Sequence, residues 1–156
     1  CPRCNKDNIL QKYSLNFIKK EYLDLPETFE NYNVFVPEAN GSGALGEVLS
    51  TPLIGEPLIG HTDTFLSIGN FKTKFEADAC IKFIKTKFAR VLLGVLKVTQ
   101  HNSRKTWYYV PLQDFTVNSD IDWTQSVADI DRQLYQKYDI SPEEIAFIET
   151  HVREMD

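Results

Sequence analysis

Residues able to do chemistry are few in this sequence, and they are scattered. Cys1 and Cys4 flank a proline at the Cys-x2-Cys spacing of half a tetrahedral zinc site. No second ligand pair follows, and Cys80 stands alone in an apolar, helix-patterned stretch. Two reduced thiols are therefore expected, with a zinc site completed by residues upstream of Cys1 left open. Asn40-Gly-Ser-Gly-Ala-Leu-Gly46 has the glycine content of a phosphate cradle. Pro37-Glu38 separates it from the strand before it, and no basic residue follows the glycines, so a connection between strands is the expected reading. The pairs Asp120/Asp122 and Asp129/Asp131 resemble metal ligands, but positions i and i+2 of a helix diverge. Asp129 and Asp131 are thus expected on a solvated acidic face. His61, His101 and His151 share no spacing with one another or with a nucleophile. No Asp or Glu is followed two residues later by Lys, the arrangement by which many nucleases hold a metal, and the P-loop pattern is absent. Neither a catalytic residue nor a metal site is expected.

One run has side chains suited to recognition. Gln100-His-Asn-Ser-Arg-Lys105 sets Gln, Asn and Arg, the types that bond base edges in pairs, within six positions. By itself such a run has the composition of a solvated loop. Its surroundings are unusual in charge. The chain carries a net −5, yet residues 71–105 hold nine bases against two acids, a net +7. Residues 120–156 hold three bases against ten acids, a net −7. Only the first of these segments can face an anionic partner.

The elements that must position these residues follow from periodicity. Tyr32-Asn-Val-Phe-Val36 and Thr64-Phe-Leu-Ser-Ile68 read as strands, as does Thr106 to Val110, and residues 12–24 read as a strand or strand pair. Residues 48–60, with two near-repeats in Pro-Leu-Ile-Gly-Glu-Pro-Leu-Ile-Gly, should wind as extended pieces and turns. Residues 71–99 form the longest helical stretch, with Ala77, Ile81, Ile84, Phe88, Val91 and Val95 on one stripe. Lys87, Arg90 and Lys97 fall on the opposite side together with Phe83 and Leu93, so the helix is expected to be sandwiched, with a break near Thr86 or Gly94. Val127, Ile130, Leu134 and Tyr138 mark a further helix. Ser141-Pro-Glu-Glu144 is a capping box with proline at the first helical position, and Ile140 and Ile145 sit at staple spacing around it. The expected fold is α+β: a small mixed sheet with a long, partly buried helix in residues 1–118, then an acidic α-hairpin in residues 119–156.

A hydrophobic content of 42% is ordinary for a globular domain and excludes a disordered chain. No apolar run approaches the length of a membrane span, and no signal-peptide core begins the chain, so a cytoplasmic protein without a membrane partner is expected. The only methionine is Met155, which suggests part of a longer protein.

Several segments, taken in order, resemble one family. They are Val36-Pro-Glu-Ala-Asn-Gly-Ser-Gly-Ala-Leu-Gly-Glu47, Thr86-Lys-Phe-Ala-Arg90, Lys97-Val-Thr-Gln100, Val110-Pro-Leu-Gln-Asp-Phe115, Ser119-Asp-Ile-Asp-Trp123 and Ile130-Asp-Arg-Gln-Leu-Tyr-Gln-Lys-Tyr138. Over residues 32–156 the chain resembles the C-terminal target-recognition region of bacterial type II restriction–modification enzymes with an adenine-specific DNA methyltransferase domain. The resemblance implies a non-catalytic reader of double-stranded DNA. An upstream domain of the same chain would bind S-adenosylmethionine and methylate adenine, and whether that parent also cleaves DNA as a restriction endonuclease is left open. No cofactor is implied for residues 1–156 themselves. The chain has no Pro-Pro to grip a flipped base, in keeping with this division. DNA contacts are expected from Lys85, Lys87, Arg90, Lys97, Gln100, His101, Asn102, Arg104 and Lys105, and from Asn40 and Ser42 of the glycine-rich loop. A module that docks the methyltransferase or nuclease domain without reading bases is the alternative. An unrecognised hydrolase would need a carboxylate or histidine cluster assembled only in space.

Overall fold

Strand β1, Tyr32–Pro37, is built from Val34, Phe35 and Val36 and is buried on both faces. Val34 and Val36 are fully buried among the core residues. Phe35 points the other way, where His61 and Phe65 lie 4.6 and 6.4 Å from its ring. A strand covered on both sides belongs in the middle of a sheet. In the computed structural model, which describes residues 14, 16–39 and 44–155, β1 is indeed central. Strand β2, Leu53–Gly55, and strand β3, Phe65–Phe71, flank it in the order β2-β1-β3. Both pairings are antiparallel, so the sheet expected as mixed has a single sense. Gly55 opposes Asn33, and a β-carbon on it would sit 2.1 Å from the Phe35 ring.

Residues expected as one long helix form two. Helix α1, Lys74–Lys85, is capped by Thr73, whose hydroxyl accepts from the Glu76 N–H, while the Glu76 carboxylate accepts from the Lys72 N–H. Thr86 ends α1 and starts helix α2, Lys87–Leu96. Its hydroxyl donates to the Phe83 carbonyl at 2.6 Å and accepts from the Ala89 N–H at 3.1 Å. A single side chain thus serves the end of one helix and the start of the next, which places the break at the first of its two expected positions. Gly94 does not break α2. A β-carbon there would meet Leu45 at 2.6 Å, so the glycine lets the 44–46 turn approach the helix.

Helix α3, Val127–Lys137, and helix α4, Pro142–His151, form the expected hairpin. The Ser141–Glu144 capping box is complete, and Asp139 takes a left-handed conformation, φ 50°, in the connection. The hairpin does not stand apart. Ile130, Leu134 and Ile148 belong to the same buried cluster as Val34, Cys80, Phe83 and Leu93. An aromatic group ties the 115–123 segment to that cluster: Phe115 contacts the rings of Phe71, Phe83 and Trp123. The Trp123 indole N–H donates to the Asp114 carbonyl. Lys82 donates to three successive carbonyls, those of Trp123, Thr124 and Gln125. The +7 segment and the −7 segment therefore pack against each other.

Two stretches expected as strands form none among their described residues. Thr106 to Val110 begins within a 3-10 turn, Arg104–Trp107, because the Thr106 N–H and hydroxyl both donate to the Ser103 carbonyl. Trp107 and Val110, three residues apart, pack inward while Tyr108 and Tyr109 point out. Within 12–24, the described residues 16–24 contain only a 3-10 turn, Lys20–Tyr22, with Phe17 and Tyr22 exposed. The Cys1/Cys4 pair lies outside the described residues. Among those described, no helix is long and apolar enough to cross a membrane.

Helix α3 meets α2 through one carboxylate. Asp131 is 4% exposed and accepts from the Lys87 N–H and the Phe88 N–H, each at 2.9 Å. Replacing it leaves two donors of the α2 first turn unpaired in the core. Asp131→Ala is expected to cost about 2–4 kcal/mol in urea unfolding. Asp129→Ala, whose side chain is 42% exposed, should cost under about 1 kcal/mol by the same measurement.

Candidate nucleic-acid interface

Three of the side chains expected to contact DNA are buried and engaged internally. Arg90 is 2% exposed. Its guanidinium donates to the carbonyls of Lys85 (3.0 Å), Gly46 and Glu47 (3.4 Å each) and Arg153. It thereby ties α2 to the 46–47 turn and to the chain after α4. Lys97 is 3% exposed and paired with Glu47. Asn102 is fully buried, and its backbone N–H donates to the Glu38 carbonyl at 2.6 Å while its side-chain amide donates to the Pro37 carbonyl at 3.2 Å. None of the three reaches a surface that duplex DNA could touch.

Lys85 and Lys87 are half-buried. Lys87 pairs with Glu149 of α4 at 2.5 Å, and Glu149 also accepts from the Tyr135 hydroxyl at 2.9 Å. Burial raises the Glu149 carboxyl, but the bonds from Lys87 and Tyr135 outweigh it and the net direction is down. A cleft of about 750 Å³ between α2, α3 and α4 opens over this group. Its polar walls satisfy one another: Asp131 on the α2 N-terminus, Lys87 and Tyr135 on Glu149, Arg90 on backbone carbonyls. For Lys87 and Arg90 the physical reason is helical geometry: they fall on the side of α2 away from the apolar stripe, and that side faces the acidic hairpin, not solvent. Lys97 and Asn102 lie beyond α2 and are drawn inward by Glu47 and by the carbonyls of Pro37 and Glu38.

The other expected residues behave differently. Gln100, His101, Arg104 and Lys105 are exposed. His101 forms an isolated antiparallel bridge with Ala39, and with the Asn102 bonds to residues 37 and 38 this fixes the loop against the exit of β1. Asn40 and Ser42 lie outside the described residues. Sequence reading missed two side chains beside them: Tyr108 and Tyr109 are 80% and 53% exposed, with ring centroids 5.4 Å apart. The signal available was the run Trp107-Tyr-Tyr109, one residue after Arg104-Lys105, which the strand assignment absorbed. Val98 and Leu112 are also exposed, 83% and 92%. Between Asp78 and Asp114 the chain has no acid at all, so nothing in this stretch repels an anion. The 98–112 segment thus offers cations, amides and aromatic rings on an anchored loop.

The Cys80 thiol is buried, and burial pushes its pKa up to about 12, the opposite of an activated nucleophile. Among the described residues no three His, Cys, Asp or Glu side chains are grouped to hold a metal ion. Comparison with protein-family models, with curated proteins and with solved structures returns no match.

Asp131 has a pH consequence. Burial raises its pKa from 3.8 to about 6, against the two backbone bonds and the Arg90 charge that lower it. A carboxyl whose folded pKa lies above its unfolded one binds its proton more tightly when folded. Its contribution to stability therefore improves as pH falls from about 6 towards 3.8 and is lost as pH rises through 6. Asn at 131 removes that titration. Measured by urea unfolding, the stability of wild type relative to Asp131→Asn should increase from pH 7 to pH 4. A difference that shrinks over that range would place the folded carboxyl below its ordinary value.

Proposed function

We propose that this chain is the target-reading part of a bacterial restriction–modification adenine-specific DNA methyltransferase, acting in the cytoplasm on double-stranded DNA. The carrying observation is the exposed face of residues 98–112. Arg104, Lys105, Gln100 and His101 lie there beside Tyr108 and Tyr109, on a loop held by Asn102 and free of acidic residues. Lysine and arginine supply sequence-independent attraction to phosphates. Arginine and glutamine make paired bonds to guanine and adenine edges. Tyrosine hydroxyls bond phosphates, and their rings stack on any base that leaves the duplex. The ordered motifs of residues 32–156 support placing this face in the methyltransferase family. S-adenosylmethionine chemistry then belongs to a domain joined upstream, and this chain supplies no catalytic group.

The site is narrower than sequence alone suggests. Lys87, Arg90, Lys97 and Asn102 act on DNA only by holding the fold, and Lys85 is a half-buried flank. A second reading, docking of the methyltransferase or nuclease domain without base reading, is favoured by one observation: Val98, Tyr108 and Leu112 of one short segment are large, apolar or amphipathic, and each exposed.

The two readings part in a binding titration of the purified chain with duplex DNA across a salt series. Lys105→Ala is expected to weaken all duplexes alike and to lower the slope of log affinity against log salt by about one unit. Arg104→Ala is expected to relax discrimination at one position of a selected site by about 1–3 kcal/mol. Glu143→Lys on α4 should leave affinity no weaker than wild type. Salt-independent or absent binding to every duplex would leave the docking reading in place.

A further inference from the structure

Residues 104–110 wind as consecutive turns: the N–H groups of Thr106, Tyr108 and Val110 donate to the carbonyls of Ser103, Lys105 and Trp107. Side chains three apart in a 3-10 turn eclipse one another. Lys105 and Tyr108 therefore share one side of the turn, and both are exposed. Tyr109 meets Tyr108 in a T-shape, with the ring planes at 73°. Such a contact sets the edge of one ring on a single face of the other and leaves the remaining faces open. Among the described residues no other ring and no cation lies against either tyrosine. Arg104 and Lys105 pair with no carboxylate among the described residues. Glu38 meets this loop through its backbone carbonyl.

Paired bases offer a protein their edges in the grooves, while their faces are covered by the stack. An open ring face beside cations matches a base that has left the stack. We propose that Tyr108, with Tyr109 against it, is a stacking site for an unpaired base, so that the chain prefers DNA in which a base stands out of the double helix. This rests on the DNA reading above and adds to it the structure of the DNA that is bound. Lys105, on the same side of the turn, attracts the phosphates next to that base. Every base has a π-face, so the ring is indifferent to base identity, and sequence discrimination stays with Arg104 and Gln100. One stacked ring returns about as much as unpairing a base costs. The preference is therefore for a base already unpaired, not for opening a paired one. Asn102 and Trp107 hold the segment before the base arrives, which lowers the cost of ordering it.

The full chain is titrated with a fully paired duplex, with the same duplex carrying one unpaired thymine, and with the single strand. Wild type should bind the bulged duplex about five- to fiftyfold more tightly than the paired one. Tyr108→Phe keeps the ring, loses the hydroxyl, and should keep that ratio. Tyr108→Leu keeps apolar bulk without a ring and should bring the ratio to within about twofold of one. Reading a ratio removes any general weakening of the face, and Lys105→Ala, which weakens all DNA alike, should leave it unchanged. A wild-type ratio near one overturns the stacking site while paired-duplex binding still supports the DNA reading. Tight binding of the bulged duplex and single strand, with none of the paired duplex, would keep the stacking site and overturn the duplex reading. A ratio that Leu preserves assigns Tyr108 to apolar contact of the kind a protein partner makes, and one that Phe abolishes assigns it to its hydroxyl; either overturns the proposal. Binding to none of the three overturns both.

Discussion

The fold depends on how a helix start is satisfied inside a core. Only Thr86 separates α1 from α2, and with Thr86, Phe88 and Ala89 buried the first N–H groups of α2 lie in the core. Thr86 takes one of them, and Asp131, arriving from α3, takes two more. A buried carboxylate is costly, and burial does push Asp131 towards its protonated form. The positive end of α2 is the environment in which that cost is smallest. The same contact fixes the hairpin, because Asp131 sits one residue from Ile130 and three from Leu134 and so sets the face that α3 turns to the core.

That docking decides the fate of the charges. A −7 segment placed on a +7 segment engages Lys82, Lys87 and Arg90, three of the nine cations that net charge suggested for an outside partner. Arg90 goes furthest, joining α2, the 46–47 turn and the chain after α4 through backbone carbonyls alone. Arginine suits the task because its planar fork presents several donors in fixed directions and stays charged when buried. Of the other cations, Lys72 and Lys74 are exposed at the start of α1, and Arg104 and Lys105 are exposed in the 98–112 segment.

Legibility in the sequence followed the locality of the cause. The Ser141 capping box, the Thr86 break and the β1 strand were readable because each is determined within a few residues. The Thr106–Val110 stretch was misread because Trp, Tyr and Val favour strands on any propensity scale, while Thr106 bonding back to Ser103 selects a turn. The roles of Arg90, Lys97 and Asn102 were not readable. Their partners lie 44, 50 and 65 residues away, and a polar residue on a non-core helix face looks alike whether water or a second helix covers it.

The burial of Asn102 is what gives the neighbouring residues a defined position. Loops with exposed polar side chains sample many arrangements, and ordering them on a ligand costs affinity. Here the backbone and side chain of Asn102 are both bonded to the exit of β1, and His101 bridges to Ala39 beside it. On the other side the 3-10 turn packs Trp107 onto the core. Gln100, Arg104, Lys105 and Tyr108 therefore project from a short span pinned at both ends. Side chains presented this way lose less freedom on binding, so a small set of contacts suffices to discriminate between ligands. Asn102, whose amide could also have bonded a ligand, is turned inward, and turning it inward is what holds its exposed neighbours in place.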